Sequence, residues 1–419
     1  MAFRTYGCTM NQADAQVAES FVASKGFTVT GESQADTVVV FSCAVRNETE
    51  DRIVSDAKKF SRLGKRVVIT SCLANSRPGR LRAELPGAVV MSGGDSEGLV
   101  DAIRAKPGSV LYGGRMLNLT GLEASPGTKV YPVKISQGCT SNCHFCITKL
   151  ARPTMWCRSS AEIEQAVRIA VGRGAVEIDL TSMDNADYLE PPATRLPQLV
   201  ERIVSGVRGN YMIRIGMMNP SGALGFWSEL GKVLNRDKVF KFLHLPLQAG
   251  DAREVKSMNR DYDPWTVVDE VRKMKAEVDG LRVATDIMVG YPTEDEDAFR
   301  NTLRLIESGA FDKVHMFRFT PRPHTRASFF DQLDERLKKR RSEQAAKVVQ
   351  KLHLSKLSGL VGENCEVLVT AAREGERCEG RTTSYVKVHL PCDSSLLGAW
   401  VRVRITGATS EHLLGVPVR

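Results

Sequence analysis

No window of this 419-residue chain holds the ~18 consecutive apolar residues that a membrane-crossing helix requires. The opening "MAFRTYGC" lacks an apolar run of signal-peptide length. Internal repeats and low-complexity tracts are missing too. A cytoplasmic protein with no membrane partner is expected, and no obligate protein partner is evident. Disulfides are rare in a reducing compartment, where thiols are metal ligands, catalytic groups or simply buried. The ten cysteines are therefore the feature to explain. Acids are outnumbered as well: 49 Asp and Glu against 58 Lys and Arg give a net charge of +9 and a pI near 9.0. That balance suits a polyanionic partner, with nucleic acid the obvious one.

The length implies two to four domains. In residues 1–120, strands are predicted at Phe3–Tyr6, Thr37–Phe41, Arg66–Thr70 and Ala88–Met91. A helix from Asp14 to Lys25 places Val17, Phe21 and Val22 on one face. This is the βαβ pattern of a parallel sheet with helices on both sides. Gly121–Lys129, rich in Gly, Pro and Ser, reads as a linker. Six further strands follow at Val130–Ser136, Val176–Thr181, Tyr211–Gly216, Phe240–Leu247, Arg282–Gly290 and Lys313–Phe319. Helices such as Ala161–Gly172 and Pro264–Glu277 separate them. Six βα units fall short of the eight in a closed barrel. Residues 125–356 are thus expected to form a partial (β/α)6 barrel, ending in a basic helix, Asp331–Lys356. Alternating strands in 357–419 suggest a small antiparallel β-barrel. The fold class is α/β.

Cys139, Cys143 and Cys146 stand at C-x3-C-x2-C spacing just after a predicted strand. A structural zinc wants four protein ligands, usually as two pairs. His144 and Cys157 are the nearby candidates for a fourth, and neither completes a pair. A four-iron cluster on three thiolates, with one iron open, fits better. Three more cysteines, Cys8, Cys43 and Cys72, each sit one to three residues past a predicted strand. Parallel sheets gather ligands at the carboxyl ends of their strands. These three are expected to meet as a second trio.

The motif C-x3-C-x-F-C after the first strand of a partial barrel resembles the radical S-adenosylmethionine superfamily. The whole chain is similar to its methylthiotransferase family. "TYGCTMNQAD", "SCAVRNETED" and "TSCLA" match the N-terminal motifs. "LTSMDNADY", "RIGMMNP", "FLHLPLQAGD" and "ATDIMVGYPTE" match the barrel. The tail resembles the RNA-binding TRAM domain. "LTSMD", "RIGMMNP" and "GVPV" look most like the archaeal and eukaryotic branch, which acts on N6-threonylcarbamoyladenosine 37 of tRNA. The isopentenyl-adenosine and ribosomal-protein-aspartate enzymes look more distant and remain the alternatives. An RNA-binding iron–sulfur or zinc protein is the non-enzymatic one.

The resemblance implies two 4Fe-4S clusters, an auxiliary one on Cys8, Cys43 and Cys72 and a radical-generating one on Cys139, Cys143 and Cys146, plus S-adenosylmethionine. These six cysteines are the catalytic set. One cofactor molecule would methylate a sulfur on the auxiliary cluster and a second would supply the radical. Phe145 would lie beside the cofactor's adenine, and Thr181, Ser182 and Asp184 near its amino-acid portion. Arg214, His244, Gln248 and Asp286 are further contacts at strand ends. The tRNA anticodon stem-loop would meet Arg336, Lys338, Lys339, Arg340 and Arg341 of the basic helix, and Arg381, Lys387, Arg402 and Arg404 of the tail. That tail carries as many acids as bases, seven of each. An electron donor such as a flavodoxin or ferredoxin is implied. Pro153, Thr293 and His324 stand where the family commonly has glycine. Cys157, Cys365, Cys378 and Cys392 match no ligand position and are expected to be structural.

Overall fold

The computed structural model describes residues 1–118, 128–373, 377–391 and 394–418. The linker reading at Gly121–Lys129 and Cys392 fall mostly or wholly outside them. Five parallel strands open the chain in the order β1 (Ala2–Thr5), β2 (Thr37–Ser42), β3 (Arg66–Ser71), β4 (Val89–Asp95) and β5 (Val110–Asn118). The fifth was not foreseen. Helix α1 (Thr9–Ser24) covers one face through Ala15, Ala18 and Val22. Helix α2 (Asn47–Arg62) covers the other through Ile53, Val54, Ala57 and Phe60. Alternate residues of β2 serve the two cores, Val38 and Val40 facing α2 and Val39 and Phe41 facing α1. Such double burial is why "TVVVF" reads as a continuous apolar run. Helix α1 begins five residues earlier than the periodicity suggested, directly after Cys8 in extended conformation.

The six barrel strands are present and parallel. Val130–Lys134 (β6), Glu177–Thr181 and Met212–Ile215 form one three-stranded sheet, and Phe242–His244, Arg282–Val289 and Lys313–Arg318 another. A bridge between Ile213 and Val239 joins the two. The N-terminal unit reaches both edges of this open barrel: α1 packs on β6, while Asn47 and Glu50 of α2 take Arg322 from beyond the last strand.

The helix Glu335–Ser358 lies along the last strand. A closed five-stranded barrel follows, from Asn364 to Pro417. It is not wholly antiparallel, because Lys387–Pro391 and Leu413–Pro417 pair in parallel. It docks at the amino ends of the larger barrel's strands: Tyr385 Oη donates to Glu177 (2.8 Å) and packs on Phe240 and Phe242. No helix among the described residues is long and apolar enough to cross a membrane.

Candidate active site

Register brings the dispersed thiols together. Ser42 of β2 and Ser71 of β3 are paired neighbours, so Cys43 and Cys72 leave the sheet side by side. Cys8 follows β1 on the far side of β2. Gly7 (φ +95°) allows the close approach: a Cβ there would stand 2.8 Å from Cys43 Cβ and Sγ. Asn11 Nδ2 ties the turns together, donating to the carbonyls of Tyr6 (2.8 Å) and Ser42 (2.9 Å). Ser71, at φ 73° and ψ −151°, adopts a backbone that side chains rarely tolerate. Its hydroxyl donates to Asn11 Oδ1 (2.8 Å), which holds that turn.

The local trio is fixed differently. Gly138 (φ +82°) folds the loop onto itself, with the Thr154 carbonyl occupying the space a Cβ would need. Neighbouring βα loops then hold the cysteine loop at several points. Asp187 accepts from Thr140 N (2.7 Å), Asn219 Nδ2 donates to Ser141 Oγ (2.8 Å), and Asn259 Nδ2 donates to the Asn142 carbonyl (2.8 Å). His144 is turned away, its Nδ1 on the Ser257 carbonyl (2.8 Å) and its ring against Phe330. Cys157 points its sulfur at the Asp187 carbonyl. Neither supplies the fourth ligand that zinc would need.

The spacing of the sulfurs argues the same way. A tetrahedral zinc with Zn–S near 2.3 Å holds its sulfurs about 3.8 Å apart. Among the described residues, neither trio brings all its sulfurs within 4.8 Å of one another. Both are too open for one ion, and all-thiolate donors on a wider frame suit an iron–sulfur cluster. Burial pushes the Cys43 thiol up to about 11 and Cys139 to about 12, and raises Cys146. Cluster iron would supply the charge that keeps them as thiolates.

Both trios line one cavity of about 1140 Å³. Phe145, Thr181, Ser182 and Asp184 line it too, as do Arg214, His244, Gln248 and Asp286. Asp184 accepts from the backbone N–H groups of Ala186 (3.0 Å) and Asn219 (2.9 Å). Its carboxyl is nonetheless pushed up to about 6 by burial, with Asp187 adding to it. Arg214 and Asp286 lie inside their strands rather than at the ends; both reach the cavity from there. Asp286 accepts from His244 Nε2 (2.8 Å).

Sequence reasoning missed two arginines beside the trios. Arg152, six residues past Cys146, is 1% exposed. Its Nη2 donates to Asp14 (2.6 Å), Asn11 (3.1 Å) and Ser71 (3.1 Å), and its Nη1 to Gln137 (2.6 Å). Burial would lower its pKa, but the negative charge of Asp14 and the neighbouring Cys72 hold it raised. Asp14 also pairs with Lys134 of β6 (2.6 Å). Burial opposes the Asp14 charge, and the two cations outweigh it, keeping its carboxyl below the usual range. Arg260 lies over Phe145, and the nearby Cys143 and Tyr262 help hold its charge. No local motif announces either arginine.

The basic-surface reading needs correction at three positions. Lys338 and Arg341 are 1% and 4% exposed. Lys338 packs on Gly290 and Phe319, and Arg341 pairs with Glu294 (2.8 Å) and Glu296 (3.1 Å). Arg381 is mostly buried against Tyr385 and Glu379. Packing uses all three, so they are not free for phosphates. Arg336, Lys339, Arg340, Arg402 and Arg404 are exposed and Lys387 is half-buried. Of the three glycine departures only His324 takes positive φ (65°). Cys365 is half-buried; Cys378 is buried and disulfide-bonded.

Two family models match: Uncharacterized protein family UPF0004 over residues 1–93 and the Radical SAM superfamily over 133–306. A probable threonylcarbamoyladenosine tRNA methylthiotransferase of Archaeoglobus fulgidus is 32% identical across 99% of this chain and 98% of its own length. The chain belongs to the threonylcarbamoyladenosine tRNA methylthiotransferase family. A similarly named protein of Methanothermobacter thermautotrophicus is 31% identical over 98% and 97% of the two chains. The Drosophila melanogaster threonylcarbamoyladenosine tRNA methylthiotransferase is 30% identical over 98% of this chain and 76% of its own. Among solved structures, the radical S-adenosylmethionine methyltransferase TsrM of Kitasatospora setae superposes with a TM-score of 0.60, at 12% identity over 78% of this chain and 76% of its own. That last likeness concerns fold alone. The expected radical-enzyme class and α/β architecture are borne out.

Proposed function

We propose that this chain adds a methylthio group to carbon 2 of N6-threonylcarbamoyladenosine at tRNA position 37. Two thiol trios facing one cavity carry the reading. When bound, two four-iron clusters and S-adenosylmethionine supply the sulfur, the methyl group and the primary carbon radical that an unactivated ring carbon demands. The chain's own residues position these partners. Cys8, Cys43 and Cys72 hold the auxiliary cluster, braced by Asn11 and Arg152. Cys139, Cys143 and Cys146 hold the other, with Arg260 beside Cys143. Phe145 flanks the cofactor's adenine; Thr181, Ser182 and Asp184 face its amino-acid end. Arg214, His244, Gln248 and Asp286 wall the space left for the base and keep out water.

RNA phosphates meet the exposed bases Arg336, Lys339 and Arg340, and in the TRAM-like tail Lys387, Arg402 and Arg404. The target base is extruded from the single-stranded loop into the cavity. Electrons come from a cytoplasmic flavodoxin or ferredoxin. The working domains are 1–120, 125–356 and 357–419. Mass spectrometry of tRNA nucleosides from cells with and without the gene tests the substrate: loss of the 2-methylthio derivative is expected, and an unchanged profile refutes it. Anaerobic reconstitution should yield about eight irons per chain, four per cluster.

A further inference from the structure

Threonylcarbamoyladenosine differs from adenosine by a side chain that ends in a carboxylate. If that nucleoside is the substrate, its carboxylate enters the cavity together with the base. Burying a carboxylate without a partner is costly, so a cation must be waiting. Most of the cavity's arginines are already engaged. Arg4 pairs with Glu32 (2.6 Å), Arg52 with Asp56 (3.7 Å) and Arg152 with Asp14. Arg322 pairs with Glu50 and also faces Glu48. Arg214 has no carboxylate within 4 Å and its buried Nε has no hydrogen-bond partner among the described residues, but it packs over Phe242 and Tyr385 in the field of Glu177 and Asp179. Arg260 donates to the Pro246 carbonyl (2.6 Å) and Tyr262 (3.0 Å).

Two remain. Arg46 and Arg318 line the cavity, and neither has a carboxylate within 4 Å or a side-chain hydrogen bond among the described residues. Arg46 differs from Arg318 in two ways. It stands three residues beyond Cys43. Its guanidinium also lies over the Phe317 ring, 4.6 Å from the centroid. That contact crosses from the N-terminal unit to the last barrel strand and holds the cation in place while its hydrogen-bonding edge stays unused.

We infer that Arg46, seated on Phe317, receives the threonyl carboxylate of the substrate and is a specificity-determining residue. The inference rests on the proposed tRNA substrate. The test uses reconstituted full-length enzyme and fluorescence anisotropy with three anticodon stem-loops. One carries threonylcarbamoyladenosine at position 37, one its threoninamide analogue, which lacks the negative charge, and one plain adenosine. The natural side chain should bind about tenfold or more tighter than the amide, as a charge-assisted hydrogen bond predicts. Arg46→Met should erase that difference and leave amide binding unchanged, while Arg46→Lys should restore part of it. Equal weakening of all three RNAs by Arg46→Met would make it a phosphate contact and overturn the inference. So would loss of the preference in Arg318→Met but not in Arg46→Met. If the unaltered enzyme binds all three RNAs alike, the substrate reading itself fails, and the inference with it.

Discussion

The two thiol trios are built by opposite means. Cys139, Cys143 and Cys146 are neighbours in the chain, and a single loop, folded at Gly138 and held by Asp187, Asn219 and Asn259, places them. Cys8, Cys43 and Cys72 are scattered over 65 residues, and only the register of β1, β2 and β3 brings them together. The first trio is a property of a segment. The second is a property of a fold, and errors anywhere in the sheet reach it.

The sharpest division is functional. Replacing Cys139, Cys143 and Cys146 with alanine should abolish both 5′-deoxyadenosine release and tRNA modification. Replacing Cys8, Cys43 and Cys72 should abolish modification while 5′-deoxyadenosine still forms, and each variant should lose about half the iron. Loss of 5′-deoxyadenosine in both would break the division of labour.

Arg152→Met should come next, since it removes one of two cations from the buried Asp14. A loss of about 3–5 kcal/mol in urea unfolding is expected, with Arg152→Lys recovering part. Iron should leave the dispersed trio before the local one.

A glycine pair sharpens the contrast at about 1–2 kcal/mol each. In Gly138→Ala the new Cβ meets rigid backbone, and in Gly7→Ala it meets Cys43. Iron analysis and 5′-deoxyadenosine release should show the first damaging only the loop cluster and the second only the sheet cluster.

A separate effect lies remote from both trios. Burial and Asp179 push the Glu177 carboxyl up to about 7. The folded protein therefore binds a proton more tightly than the unfolded chain, and stability should fall as pH rises from about 4.5 through 7. Thermal melts from pH 5 to 8 should show Glu177→Gln gaining on the unaltered protein by a few degrees, most at the alkaline end.

The thiol positions were legible because strands announce their ends: "VVVFS" and "RVVITS" each run straight into a cysteine. The six barrel strands were legible for the same reason. Partners distant in sequence were not. Nothing near Lys338 or Arg341 reveals that Gly290, Glu294 and Glu296 will meet them, so a helix with one packed charged face read as wholly basic. The alternation in the tail gives strands but not their direction, which hid the parallel pair between Lys387–Pro391 and Leu413–Pro417. Arg152 looked like one base among 58 Lys and Arg; only its surroundings in space give it a role.

The shared acid at the junction bears on how such proteins can be recombined. Asp14 belongs to the first unit, and its two counterions, Lys134 and Arg152, belong to the second. Separated, one piece would carry a stranded anion and the other two stranded cations. The pair therefore behaves as a lock whose key is split between its halves, and a chimera that exchanges the N-terminal unit with a relative must keep all three charges matched.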